Sequence, residues 1–532
     1  METSAFRLNQ TGYTAGEPVH LVMLTEEPAW LLDEAGNRLR QLEARKTRPD
    51  AASGDQVALV EIGALPAGNY TLACGEERRA LTVSEKPWRE VVSALIKGLY
   101  FQRCGCALEE TFAGPWTHPA CHTAPAADWE NRDYRRLIPG GWHDAGDYGK
   151  YVGPGAVTVA HLLYAWKLFP SGCGDDLNLP ESGNGVPDIL NEARYELEWI
   201  LRMQREDGAF HHKLTKERFA PFLMPQEDRE PEFVMPVSHC ATGAACACLA
   251  LASRVWRGFD AAFADRMRSA AIRAWEWLEA HPDFVPFQNP EGVRTGGYGD
   301  DSDADERFWS ACELYACTEE DRYRAAAETL LAGGQELTSF GWRNVAGLGA
   351  LCCLCDLKGK AGDPLYEAVQ ENYLKQSAFL TQAGRASGYG TALYGTEYYW
   401  GSNMTVLCRA MAMILHDLMA GREEMRSAAL LQWHYALGMN AMDVCYVTGF
   451  GENRVMHPHH RPSGADGIDD PVPGLISGGP NSQHLYPAHR ERFGNHTPPA
   501  KCFLDEMPSA DTNEIAIYWN SPAVFVGAYF NQ

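Results

Sequence analysis

Two different periods of apolar residues divide the chain. Up to about residue 85 they fall in short alternating or continuous runs: Val19-His-Leu-Val-Met-Leu24, Trp30-Leu-Leu32, Val57-Ala-Leu-Val-Glu-Ile62, Tyr70-Thr-Leu-Ala73 and Ala80-Leu-Thr-Val83. Glu34-Ala-Gly-Asn37, Ser53-Gly-Asp55 and Pro66-Ala-Gly-Asn69 supply turns between them. Short strands at this spacing predict a small all-β, immunoglobulin-like sandwich over residues 1–85. From Trp88 onward the period becomes 3.6, with helices expected near 88–104, 154–169, 187–205, 237–255, 261–281, 304–317, 319–332, 343–356, 364–381, 402–420, 422–439 and 513–530. Twelve helices with no strands between them predict a mainly α domain over 86–532, six helical hairpins closed into an (α/α)6 barrel. The stretch 445–510 holds 9 of the 31 prolines, and its length marks it as a wall of a functional site.

Composition narrows the function. The 532 residues are 45% apolar and carry 46 Lys+Arg against 70 Asp+Glu, a net charge of −24. That apolar content excludes global disorder. No Lys/Arg-rich run exists to release counterions from a phosphate backbone, so neither a nucleic acid nor an anionic membrane is expected as a partner. The longest small-apolar stretch, Ala241 to Ala252, is short of the roughly 20 residues a membrane span needs. Many of the 16 cysteines lie in apolar helical settings (Cys240, Cys246, Cys248, Cys352, Cys353, Cys355), as buried free thiols do. With no leader-like pattern at the N-terminus, the expectation is a cytoplasmic monomer, the alternative being a secreted protein whose leader has been removed. His-Glu-x-x-His, the Walker lysine loop and G-x-S-x-G are absent from the sequence.

Four segments carry chemistry. Gly140-Gly-Trp-His-Asp-Ala-Gly-Asp-Tyr-Gly-Lys-Tyr151 places Asp144 and Asp147 on a glycine-dense loop leading into a helix. Paired carboxylates there can hold and deprotonate one water; an Asx-turn or helix N-cap suits the same residues. Glu514, in Thr512-Asn-Glu-Ile-Ala-Ile-Tyr-Trp519, opens an apolar helix in this reading. Apolar neighbours would raise its pKa toward that of a general acid, whereas a position at the helix N-terminus would lower it. His457-Pro-His-His-Arg461 offers either a polar clamp or a solvated loop cluster. Cys104, Cys106, His118, Cys121, His122 and His143 include enough soft ligands for a tetrahedral zinc, although their spacing is not that of a zinc finger.

Taken together these segments resemble glycoside hydrolase family 9, in the subgroup with an N-terminal immunoglobulin-like domain. Phe6-Arg-Leu-Asn-Gln-Thr-Gly-Tyr13, Tyr100-Phe-Gln-Arg-Cys-Gly105, Pro180-Glu-Ser-Gly-Asn-Gly-Val-Pro-Asp188, Asp305-Glu-Arg-Phe-Trp309 and Trp400-Gly-Ser-Asn403 carry the likeness alongside the Asp, His and Glu segments. The resemblance implies an inverting endo-β-1,4-glucanase acting on a β-glucan or cello-oligosaccharide. Asp147 would be the general base, Asp144 the residue that positions the water, and Glu514 the general acid. His459 and Arg461 would contact the sugar. It implies structural Zn2+ on Cys104, Cys121, His122 and His143. Calcium is common in the family, with Asp305 and Glu306 or Asp466 and Asp469 as its candidates. Trp142, Trp309, Tyr398 and Trp400 are candidate sugar-stacking platforms. One departure stands out: the family usually has an aromatic four residues before the acid, where this chain has Ala510. An exo-acting enzyme on cello-oligosaccharides or glucosaminides is the alternative. A sugar-binding barrel without turnover is the competing class.

Overall fold

The computed structural model describes residues 4–42, 46–357, 362–494 and 496–532. Two sheets come first. One orders Phe6–Arg7, Pro18–Met23, Gln56–Ala64 and Arg48–Pro49; the other orders Tyr13–Thr14, Glu77–Ser84, Gly68–Cys74, Ala29–Leu32 and Arg38–Leu42. The period of two decides what each face does. On Pro18–Met23, Val19, Leu21 and Met23 enter the sandwich core, while Val22 points the other way into the barrel core. On Gln56–Ala64, Ala58, Val60 and Ile62 face inward and Val57 joins the barrel. The sandwich is therefore continuous with the helical domain.

Among the described residues twelve helices of eleven residues or more follow, in chain order α1 Arg89–Phe101, α2 Val152–Leu168, α3 Asp188–Arg202, α4 His239–Trp256, α5 Ala261–Ala280, α6 Ala304–Thr318, α7 Asp321–Ala332, α8 Ala346–Asp356, α9 Pro364–Ser377, α10 Ser402–Ala420, α11 Glu423–Ala436 and α12 Ile517–Phe530. The even-numbered helices pack each on the next and α12 returns to α2, closing an inner ring. Each odd-numbered helix packs outside an inner one, giving the (α/α)6 barrel. Sequence explains the sorting. On α12 every residue from Ile517 to Ala528 is buried, so it has no polar face to turn to water. On α3, Arg194, Glu198 and Arg202 are not buried while Ile189, Leu190, Leu197 and Ile200 are, the pattern of an outer helix. Ser238 and Asp260 cap α4 and α5 by accepting from the Ala241 and Phe263 N–H groups.

The expectation of no strands within the helical domain is corrected. Arg135–Arg136, Ala126–Asp128, Phe233–Val234, Lys213–Thr215 and Lys150–Tyr151 form a five-stranded sheet beside the inner-ring mouth. Strands of two or three residues are too short to show a period. Among the described residues no helix is long and apolar enough to cross a membrane.

Candidate active site

The aspartate loop runs from Gly140 into α2, and its glycines are needed where backbones touch. A Cβ on Gly146 would lie 1.9 Å from the His459 carbonyl oxygen. Bare of one, Gly146 lets the histidine loop close against it, and its carbonyl accepts from Arg461 N at 3.0 Å and Arg461 Nη1 at 2.8 Å. The Asp144 carbonyl accepts from Ile517 N at 2.8 Å, which ties the same loop to the start of α12.

Glu514 does not open that helix, contrary to the sequence reading. It is extended (φ −65°, ψ 158°), three residues before α12, in a segment bridged residue by residue to other chain stretches: His459 to Glu514, Ser477 to Ile515 and Ala145 to Ala516. Those long-range pairings, not local propensity, hold the segment out of the helix and bring Glu514 into one cleft with Asp144 and Asp147.

The electrostatics separate the three carboxyls. Burial, with the Asp147 and Asp144 charges next, pushes Glu514 well above the ordinary glutamate range against the opposing pull of Arg461 and the Trp400 side chain. Burial also raises Asp144 well above its ordinary value; its Oδ2 accepts from the Tyr298 hydroxyl while its Oδ1 has no hydrogen-bond partner. Asp147 is raised by burial too, but Arg461, the Gly149 N–H (2.9 Å to Oδ2) and Lys213 all favour its charged form. Asp147 is therefore the carboxyl with the most support for ionisation, while Glu514 and Asp144 are both pushed well toward the neutral form, a division that suits a base and an acid. Burial lowers His459 to about 4, and the neutral ring is oriented by a 2.7 Å contact from Nδ1 to the Met507 carbonyl. Arg461 is fixed through Nε to the Ala220 carbonyl at 2.7 Å.

The cleft encloses about 520 Å³. Of the expected platforms only Trp400 lines it, 37% exposed. Trp142, Trp309 and Tyr398 are corrected: all three are buried and none lines the cleft. The indole N–H groups of Trp142 and Trp309 donate to Glu192 and Glu313 at 2.8 and 3.2 Å, so both are core residues with their one polar atom satisfied. The sequence reading missed Tyr298, Trp342 and Tyr486, which do line the cleft. Tyr298 adopts φ +44°, a rare conformation for a tyrosine, with its ring edge against Trp342 at 4.9 Å.

Beside the aspartate loop, ligand atoms of Cys104, Cys121, His122 and His143 converge within 4.8 Å of one another, and Cys106 and His118 stay outside the group. His122 turns Nδ1 toward Cys104 Sγ and His143 Nε2 (3.6 and 3.3 Å) and Nε2 toward Asp228 Oδ2 at 3.4 Å. Two thiols, two imidazoles and an outer carboxylate fit a closed tetrahedral Zn2+. Neither acidic segment supplies three such converging atoms among the described residues. Near the first, Glu306 Oε2 and Asp300 Oδ2 are buried without partners, and Asp305 Oδ2 accepts from Val345 N at 2.8 Å. Hard, orphaned oxygens of this kind suit Ca2+. At the second, Asp466 Oδ2 is likewise buried without a partner, its Oδ1 accepts from the Ile468 N–H at 2.9 Å, and Asp469 is exposed.

The chain matches the model of Glycosyl hydrolase family 9 over residues 88–527. It is 35% identical to a cellodextrinase of Butyrivibrio fibrisolvens, the match covering 97% of this chain and 98% of that protein. Its fold superposes with a TM-score of 0.93 and 34% identity on a single mutant of a thermostable endoglucanase from Alicyclobacillus acidocaldarius, over 100% of both chains. It superposes with a TM-score of 0.91 and 30% identity on a Zn-binding triple mutant of the family 9 endoglucanase J30, over 98% of this chain and 99% of that one. By family model, full-length relatives and fold alike, the chain belongs to glycosyl hydrolase family 9 and is a glycoside hydrolase.

Proposed function

We propose that this hydrolase is an inverting β-1,4-glucanase that cuts within cellulose-like or mixed-linkage glucans. The observation that carries the reading is a pair of unequal environments in one cleft: burial and two aspartates push Glu514 well above the ordinary glutamate range, whereas the rise that burial gives Asp147 is opposed by Arg461, Lys213 and a backbone N–H. Glu514 donates its proton to the glycosidic oxygen as the C–O bond breaks. Asp147 takes a proton from the water that attacks the anomeric carbon from the opposite face, and Asp144 orients that water. His459 and Arg461, fixed by backbone carbonyls, hold the sugar beside the bond. Cys104, Cys121, His122 and His143 would hold a structural Zn2+ that pins the aspartate loop from His143, the neighbour of Asp144. Asp305 and Glu306, with Asp300, would hold Ca2+. We read the protein as a monomer acting on a β-glucan or cello-oligosaccharide, in the cytoplasm or outside the cell.

A second reading, trimming of short cello-oligosaccharides, is favoured by the likeness to a cellodextrinase along nearly its whole length. Two measurements address both. Proton NMR of the products from cellohexaose should show the α-anomer first, and a soluble cellulose derivative should lose viscosity early. A β-anomer sinks the inverting assignment of Asp147 and Glu514. Sugar release without loss of viscosity selects the trimming enzyme.

A further inference from the structure

One buried polar cluster beside the acid-bearing segment has no part in the chemistry above. His489 Nε2 is hydrogen-bonded to Ser509 Oγ at 2.8 Å, and His489 Nδ1 lies 2.6 Å from Asp511 Oδ1, a close contact that lacks hydrogen-bond geometry. The order Ser–His–Asp has the spacing of a nucleophilic triad. The three residues are 2%, 3% and 0% exposed, however, and Ser509 Oγ also shares a hydrogen bond with Thr512 Oγ1, so no substrate reaches the hydroxyl. The cluster instead joins two stretches of the cleft wall. His489 sits in the short helix Pro487–Phe493, directly after Tyr486, while Ser509 and Asp511 flank Ala510 on both sides. The Leu485 N–H adds a contact to Asp511 Oδ2 at 3.3 Å, and the His489 ring meets the Tyr486 ring edge-on at 5.8 Å. Tyr486 is 40% exposed, lines the same cleft as Ala510 and stands edge-to-face with Trp400 at 6.4 Å.

We propose that Tyr486 is a specificity-determining sugar platform, forming with Trp400 the aromatic wall that Ala510 leaves bare, and that His489, Asp511 and Ser509 are positioning residues holding it there. A methyl at 510 offers a glucosyl ring little area, whereas the phenol offers a broad apolar face and a hydroxyl that both donates and accepts. Tethering Tyr486 to the residues on either side of Ala510 fixes that face relative to Glu514 instead of leaving it on a free loop. The proposal rests on the glucanase reading. A platform of this kind binds the sugar equally before and during bond cleavage, so it acts on KM.

The test is steady-state kinetics on cellotetraose. Tyr486→Ala should raise KM about tenfold with kcat within about twofold, and Tyr486→Phe should restore most of the affinity. His489→Ala and the milder His489→Gln should move KM in the same direction by less. An unchanged KM in Tyr486→Ala, or a fall in kcat instead, overturns the platform. A raised KM in Tyr486→Ala with wild-type KM in both His489 variants overturns the tether. Wild-type protein that leaves cellotetraose intact overturns the glucanase reading and the proposal with it, which separates that failure from the other two.

Discussion

Two clusters of buried carboxyls sit at opposite ends of the inner helices, and they are treated in opposite ways. Asp144, Asp147 and Glu514 lie on segments that enter α2 and α12. Tyr298, Trp342 and Trp400 line the same cleft just before α6, α8 and α10. At the other end, Lys167 and Arg254 occupy the last turns of α2 and α4, with Glu313 and Asp356 toward the ends of α6 and α8. There the charges cancel: Arg254 pairs with both Glu313 and Asp356, Lys167 pairs with Asp356, and the Tyr164 hydroxyl donates to Glu313 at 2.7 Å. Cations at helix C-termini also suit the macrodipole. In the cleft three carboxyls face Arg461 and Lys213, and both cations bear most directly on Asp147. Cys352 joins Glu313 and Asp356 within 4.8 Å, but carboxylates already paired to two cations are poor metal ligands. Compensated charge closes one end of the barrel; at the other end three carboxyls share two cations that bear mainly on one of them.

Substitutions at the two ends should give opposite phenotypes. Glu514→Gln or Asp147→Asn should lower turnover by about 10²–10⁴-fold, with the urea unfolding midpoint unchanged or raised. Arg254→Met should leave kcat of the folded enzyme near wild type and cost about 3–5 kcal/mol of stability, because Glu313 and part of the Asp356 charge are left unpaired in the core. Loss of kcat in well-folded Arg254→Met protein, or a Glu514→Gln variant as unstable as Arg254→Met, breaks the distinction.

The cluster of Cys104, Cys121, His122 and His143 lies between these cases, since the proposed zinc would compensate its charge. Metal-replete protein should hold about one zinc, and Asp228→Asn should weaken its binding about 10–100-fold through loss of the carboxylate on His122. Competition against a chromogenic chelator measures this, and an unchanged affinity would place Asp228 with Lys216, its other close partner, instead.

How much of this was legible in the sequence depends on whether local pattern or long-range pairing decided the outcome. All twelve long helices were, because even inner ones buried over most of their length, such as α12, carry long apolar runs bounded by caps or turns. Arg38–Leu42 was not, since four of its five residues are exposed and an edge strand of this kind has no apolar face to read. The cleft loops were legible as motifs and not as shapes. Ile515-Ala-Ile reads as the first turn of a helix, and only pairing to residues 145, 459 and 477 keeps that segment extended. Residue type alone also misled: Trp309 is on an inner helix and donates to Glu313, whereas Trp342 and Tyr486, outside any predicted helix core, face the cleft. Six cysteines and histidines were candidates for zinc by composition; the resemblance to the family singled out four, and these are the four whose ligand atoms converge.

The smallest effect tests the electrostatic half of the comparison most directly. In the unfolded chain Glu514 ionises near 4.5, and in the folded protein burial and the two aspartates keep it protonated well above that. Between those two pH values the unfolded chain has released a proton that the folded protein retains. Raising the pH therefore favours unfolding, by at most about 1.4 kcal/mol per pH unit for this group. Glutamine cannot ionise and carries no such term. The stability advantage of Glu514→Gln over wild type should thus grow as pH rises above about 4.5 and level off once the folded carboxyl ionises. Parallel stability curves for the two proteins would mean that Glu514 is already charged inside the cleft. A charged Glu514 has no proton to give the leaving group, and the acid would then have to be sought in Asp144.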